Sequence, residues 1–121
     1  MRVFAVDDEP VCRMVLAGCL ESHHKVVLFD DPSKLLAAIR SEAPDIVITD
    51  GMMPEISGQQ LLVAIRRVWP LLPVVLVTSE PTDFANLDFN AVVLKPRAHV
   101  YADPKNETFP SALLRVVRLL T

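Results

Sequence analysis

Asp50 closes the apolar run Ile46-Val47-Ile48-Thr49 and is followed by Gly51-Met52-Met53-Pro54. A second run, Arg2-Val3-Phe4-Ala5-Val6, ends in the acid pair Asp7-Asp8. Two more end in single polar residues, Val74-Val75-Leu76-Val77 in Thr78 and Ala91-Val92-Val93-Leu94 in Lys95. In a parallel α/β sheet the strand carboxyl ends share one edge, and ligands bind there at the point where the strand order reverses. Three carboxylates, one hydroxyl and one amine would then meet in a single pocket. That set suits a carboxylate nucleophile accepting a phosphoryl group beside a metal ion.

Elementary electrostatics supports those roles. Three carboxylates in one pocket repel, and without a cation at least one would take a proton. A hard divalent ion removes the conflict, and Mg²⁺ prefers a few carboxylates together with water and phosphate oxygens. The same ion would neutralise charge on an incoming phosphoryl group, leaving catalysis to positioning and electrostatics. Lys95 supplies a point charge and Thr78 a hydroxyl donor. A new phosphoryl group adds charge and three strong acceptors, enough to bias a bistable loop.

The elements that must position these groups are legible as alternating strands and helices, the pattern of a parallel sheet covered on both faces. Pro10 sits where a first helix begins, and Val11, Val15 and Cys19 recur at helical spacing. The strand Lys25–Phe29 leads into Asp30-Asp31-Pro32, with Asp31 as cap, Pro32 at the first helical position, and Leu35, Leu36 and Ile39 as the apolar stripe. Ser57-Gly58 opens a third helix whose inner face would be Leu61, Leu62, Ile65 and Trp69. In the last helix Leu113, Val116, Val117 and Leu120 line one side, with Arg115 and Arg118 on the other. The connection between Thr78 and Lys95 breaks the rhythm. Its turn residues predict a helix there that is short, frayed or missing, and residues 97–108 form a long loop.

The 121 residues suffice for one domain with a real core, and 51% hydrophobic content argues against disorder. A net charge of -3 argues against direct nucleic-acid binding, which needs clustered Lys and Arg. Cys12 and Cys19 lie seven residues apart on one helix, about 10 Å along its axis and too far for a disulfide. They read as buried free thiols in a reducing, cytoplasmic compartment. These residues show no signal-peptide pattern and no apolar span near membrane length.

With these residues in place the chain resembles, over residues 2–120, the receiver domain of bacterial two-component response regulators. The matching motifs are Val6-Asp7-Asp8-Glu9, Asp50 with Met52-Met53-Pro54 and Gly58, Thr78, and Lys95-Pro96. The resemblance implies a single receiver domain over 1–121, a flavodoxin-like α/β fold with a doubly wound five-stranded parallel sheet in the order 2-1-3-4-5. It implies Asp50 as phosphoacceptor, with Asp8, Asp50 and the backbone carbonyl of Met52 as ligands of Mg²⁺ or Mn²⁺. Asp7 would hold the metal through water, Thr78 would be the switch hydroxyl, Lys95 would pair with a phosphoryl oxygen, and the Lys95-Pro96 bond would be cis. The phosphoryl donor would be a sensor histidine kinase or a histidine phosphotransfer domain. Such a domain is a switch and not an enzyme acting on an external substrate.

Each residue also has a plainer reading. Asp50-Gly51 could simply open a turn, Asp7-Asp8 could cap the first helix, and Thr78 could be a β-former at a strand end. Lys95 could be a surface lysine. Glu9 reads as solvated, His23, His24 and His99 as surface residues, and Met52 and Met53 as packing. The output side departs from the family. The position three before Lys95, usually aromatic, is Val92, and Arg97 stands where another aromatic is common. Phe84, Phe89 and Tyr101 are the aromatics left to take over that role.

Three functional readings follow. The first is a receiver phosphorylated on Asp50 that signals through order and disorder of the loop after Thr78. The second is a phosphorylation-independent binding module that docks a partner through residues 83–90 and the last helix. The third, an aspartyl phosphatase, fits poorly, because such enzymes place two acids two residues apart after the first strand whereas position 52 is Met. No output segment follows, so the chain reads as a stand-alone receiver or as a domain cut from a longer one, and the lack of a capping glycine after Leu120 favours a cut. The downstream partner is unspecified, and dimerisation through the last helix is an option that no residue pattern specifies.

Overall fold

A computed structural model describes residues 1–79, 88–95 and 109–121. Its elements run β1 (Arg2–Val6), α1 (Pro10–Leu20), β2 (Lys25–Phe29), α2 (Pro32–Ser41), β3 (Ile46–Asp50), α3 (Gly58–Val68), β4 (Val74–Thr78), β5 (Ala91–Leu94) and α4 (Phe109–Leu120). The five strands form one sheet in the order β2-β1-β3-β4-β5, every pairing parallel. The order reverses between β1 and β3, which pair with Val6 opposite Thr49. Asp7 and Asp50 therefore emerge side by side. This is the expected doubly wound sheet. The segment expected to hold a weak helix between β4 and β5 falls on residues 80–87, outside the described residues, as does the loop 97–108.

Local signals set the helix starts. Asp31 caps α2, its Oδ1 accepting from the Ser33 backbone N–H at 2.8 Å with Pro32 at the first position. Ser57 caps α3 through a reciprocal box with Gln60. Glu9 is the N-cap of α1 and Pro10 its first residue. The acid pair thus lies ahead of the cap, leaving both carboxylates to the sheet edge.

Two apolar layers flank the sheet. On one side Leu16 and Leu20 of α1 and Leu113 and Val117 of α4 pack against Val3, Ile46, Ile48 and Val75. On the other, Leu35 and Ile39 of α2 and Leu61 and Ile65 of α3 pack against Phe4, Val47 and Val74. Each fully buried Leu or Ile contributes about 1.5–3 kcal/mol, and Val3, Val6, Ile46, Val47 and Ile48 of the two central strands are fully buried. Among the described residues, no helix is long and apolar enough to cross a membrane.

Three expectations about faces need correction. The inner face of α1 is Cys12, Leu16, Cys19 and Leu20, while Val11 is exposed and Val15 only partly buried. That rotation buries two leucines, more apolar area than the stripe 11-15-19 offers. Trp69 is the C-cap of α3 and is 38% exposed, although its Nε1–H donates to the Ile39 carbonyl at 2.7 Å. Met53 packs in the core but Met52 is exposed, because the chain turns after Asp50 and only one of the two side chains meets the α2–α3 layer. Cys12 and Cys19 are buried free thiols, as expected.

Candidate functional site

The site begins where β1 ends. The Asp7 N–H donates to the Phe29 carbonyl at 3.2 Å, continuing the β1–β2 ladder one residue past the strand. This buries Asp7, which is only 2% exposed. A buried carboxylate must be paired or hydrogen-bonded, and this one is both. Its Oδ1 accepts from the Glu9 N–H at 2.9 Å and its Oδ2 from Lys95 Nζ at 2.9 Å. Its backbone carbonyl accepts from Arg13 Nη1 at 2.7 Å. Asp8, one residue on, is half-buried.

Asp50 is the last residue of β3, and its Oδ1 accepts from the Gly51 N–H at 2.8 Å. Asp7, Asp8 and Asp50 each present a carboxylate oxygen, and all three lie within 4.8 Å of one another. Hard oxygen donors that close fit a divalent cation of the Mg²⁺ type. Burial first, then the charge of Asp7, lifts the Asp50 carboxyl above the usual carboxylate range, against the pull of Lys95 and the Gly51 N–H.

Lys95 follows β5, and its backbone N–H donates to the Thr78 carbonyl at 2.8 Å. That bond continues the register in which Thr78 pairs with Leu94. The ammonium stands 2.9 Å from Asp7 Oδ2 and 3.8 Å from Asp50 Oδ2. Burial alone would lower the lysine's proton affinity, but the hydrogen bond and charge of Asp7, helped by Cys12 and Asp50, raise it above the ordinary value. A cavity of about 10 Å³, lined by Asp7, Cys12, Lys95, Val77 and Phe109, adjoins it, room for about one water. Thr78, buried at the end of β4, lies on the strand next to that of Asp50.

Gly58 closes the site from below. A Cβ there would lie 2.7 Å from the Asp50 carbonyl oxygen and 3.2 Å from the Gly51 Cα. The Gly58 N–H donates to the Gly51 carbonyl at 2.9 Å. Only glycine lets α3 start this close to the acid-bearing turn.

The structure thus brings Asp7, Asp8, Asp50 and Lys95 together at one edge, with Thr78 on the adjoining strand. Glu9 is exposed, His23 is exposed and His24 half-buried. Phe89 packs against the α2–α3 layer, while Val92 is 45% exposed. The cis Lys95-Pro96 bond, His99, Phe84 and Tyr101 involve residues outside those described. Sequence reasoning missed Arg13 and the pairing of Lys95 with Asp7. The available signal for Arg13 was its place one helical turn beyond Pro10, from which a long side chain reaches back over the acid pair.

Residues 3–99 match the model of the response regulator receiver domain. Two-component response regulator ORR1 of Oryza sativa subsp. japonica is 37% identical over 93 residues, 65% of this chain and 40% of that protein. The DNA-binding transcriptional regulator NtrC of Escherichia coli strain K12 is 33% identical over 78 residues, 64% of this chain and 17% of that protein. The sensor histidine kinase TmoS of Ectopseudomonas mendocina is 32% identical over 84 residues, covering 68% and 9%. The chain therefore spans less than half the length of these relatives. Among solved structures, response regulator TrrA of Thermotoga maritima in complex with Mg²⁺-BeF superposes with a TM-score of 0.79 at 25% identity, covering 99% of this chain and 98% of that one. The chemotaxis protein CheY4 of Vibrio cholerae, at 22% identity and a TM-score of 0.79 over the same shares, has the same fold. With its sheet order and acid-lined edge, this chain belongs to the response regulator receiver domains of two-component signal transduction.

Proposed function

We propose that Asp50 accepts a phosphoryl group in a Mg²⁺-dependent reaction and that the modified domain switches a partner interaction. The observation that carries this is the convergence of Asp7, Asp8 and Asp50 within 4.8 Å beside the Lys95 ammonium. Asp8, Asp50 and the Met52 backbone carbonyl would ligate Mg²⁺ or Mn²⁺, with Asp7 acting through water. The ion, when bound, offsets the mutual repulsion of the acids and the charge of the transferring group.

The chain's own groups do the rest. The Gly51 N–H holds one Asp50 oxygen at 2.8 Å, which leaves the other as nucleophile. Lys95, 3.8 Å from that oxygen, pairs with a phosphoryl oxygen. The Thr78 hydroxyl, anchored at the end of β4, donates to another and reports its arrival. The donor is a histidine kinase or a histidine phosphotransfer domain in the cytoplasm. The receiver works as a switch and not as an enzyme on an external substrate.

The test is intact mass after incubation with Mg²⁺ and acetyl phosphate. The expected result is a gain of one phosphoryl group, absent with EDTA and in Asp50→Asn. A gain that persists in Asp50→Asn would overturn the assignment. One observation favours a second reading. Val92, at the usual aromatic position, is 45% exposed, which suits a face that docks a partner irrespective of phosphorylation. Partner binding indifferent to Mg²⁺ and to beryllofluoride would support it.

A further inference from the structure

The two members of the acid pair are held in different ways. Asp7 is fixed at every polar atom: its N–H by Phe29, its carboxylate by Lys95 and Glu9, its carbonyl by Arg13. Among the described residues nothing donates to the carboxylate of Asp8, which is only half-buried. Its position follows from the backbone alone, that is, from the orientation of the peptide joining Asp7 to Asp8. The oxygen of that peptide is the one that Arg13 binds, at 2.7 Å. A hydrogen bond from a charged donor is stronger than a neutral one and favours one orientation of the peptide plane. Arg13 itself stands on α1, which Cys12 and Leu16 anchor in the core, so the donor is on a rigid base.

We propose that Arg13 is a positioning residue of the acid site: its bond to the Asp7 carbonyl sets the Asp7–Asp8 peptide so that Asp8 faces Asp50. This rests on the reading of the three acids as a Mg²⁺ site. The direction of the effect separates positioning from charge. As a mere cation beside three acids, Arg13 would oppose a divalent ion, and its removal would tighten Mg²⁺ binding. As a positioning residue it aids binding, and its removal weakens it.

The experiment is calorimetric titration of Mg²⁺ into the unphosphorylated full chain, as wild type, Arg13→Met and Arg13→Lys. Met keeps the hydrocarbon stem, and Lys keeps the charge and one donor. Loss of an outer-shell partner typically weakens a metal about 10- to 100-fold. The Met variant is expected to bind Mg²⁺ about tenfold more weakly, with Lys in between. At saturating Mg²⁺ its phosphorylation by acetyl phosphate should recover most of the wild-type rate. Circular dichroism and urea unfolding in EDTA establish that each variant is folded. A folded Met variant that binds Mg²⁺ as well as wild type, or better, overturns the proposal. Absence of Mg²⁺ binding by the wild type would instead overturn the metal-site reading beneath it, so the two failures are distinguishable.

Discussion

Lys95 is closer to Asp7 than to Asp50: its Nζ lies 2.9 Å from Asp7 Oδ2 and 3.8 Å from Asp50 Oδ2. The lysine thus anchors to the acid on β1 and stands within reach of whatever Asp50 carries. Asp7 has a side chain only 3% exposed, so the pairing is also structural. Removing one partner of a buried pair leaves the other uncompensated, at a cost of about 3–5 kcal/mol. Lys95→Met is expected to lower stability in EDTA by about 3 kcal/mol, read as a fall in the urea midpoint. Asp7→Asn in that background should restore part of the loss. Additive losses would show that the two side chains are not coupled.

Gly58 makes a second prediction. Its missing side chain lets α3 begin against the Asp50 carbonyl, where a Cβ would sit at 2.7 Å. Backbone, unlike a flexible side chain, cannot step aside cheaply. Gly58→Ala is expected to cost about 1–3 kcal/mol and to weaken Mg²⁺ binding by displacing the Asp50 turn. Unchanged urea and Mg²⁺ titrations would mean that α3 shifts without disturbing the acids.

Metal linkage gives a third. A ligand that binds only the folded state at about 100 times its Kd adds about 2.7 kcal/mol. Mg²⁺ at that excess is expected to raise the urea midpoint accordingly, reversibly with EDTA. Asp8→Asn should abolish most of the gain while leaving stability in EDTA unchanged or slightly higher, since no described group donates to that carboxylate. A full Mg²⁺ response in Asp8→Asn would remove Asp8 from the ligand set.

What the sequence makes legible depends on the range of each physical signal. The ends of β1, β3, β4 and β5 were marked by apolar runs stopping at Asp7, Asp50, Thr78 and Lys95, and parallel topology did the rest. Helix starts at Pro10, Asp31-Pro32 and Ser57 are local chemistry, and they hold. What failed was rotational: the phase of α1 depends on total buried area against the sheet, which periodicity through Val11 did not weigh. The missed contacts are long-range or directional. Lys95 and Asp7 are 88 residues apart, and the reach of Arg13 back to a carbonyl leaves no trace in a hydrophobic pattern. The exposure of Met52 beside buried Met53 depends on the exact path of the turn after Asp50.

The pH dependence of stability tests the electrostatics of Asp50 directly. Burial and the charge of Asp7 raise its carboxyl above the ordinary value of 3.8. In the unfolded chain the group has lost its proton once pH exceeds that value, while the folded chain still holds it. The folded state then binds more protons than the unfolded one, so stability falls as pH rises through this window. The contribution is fully present below pH 3.8, is lost as pH passes the raised folded value, and stays lost at neutrality. Asp50→Asn has no proton to lose. In EDTA its stability relative to wild type should therefore grow across mildly acid pH and level off towards pH 7. Mg²⁺ needs the ionised carboxylate, so its binding should release protons within the same window and few at neutrality. Urea midpoints of both proteins measured from about pH 3.5 to 7 decide the matter, since that span brackets the ordinary carboxylate values. Parallel curves would show that Asp50 ionises as if exposed, and that Lys95 and the Gly51 N–H fully offset its burial beside Asp7.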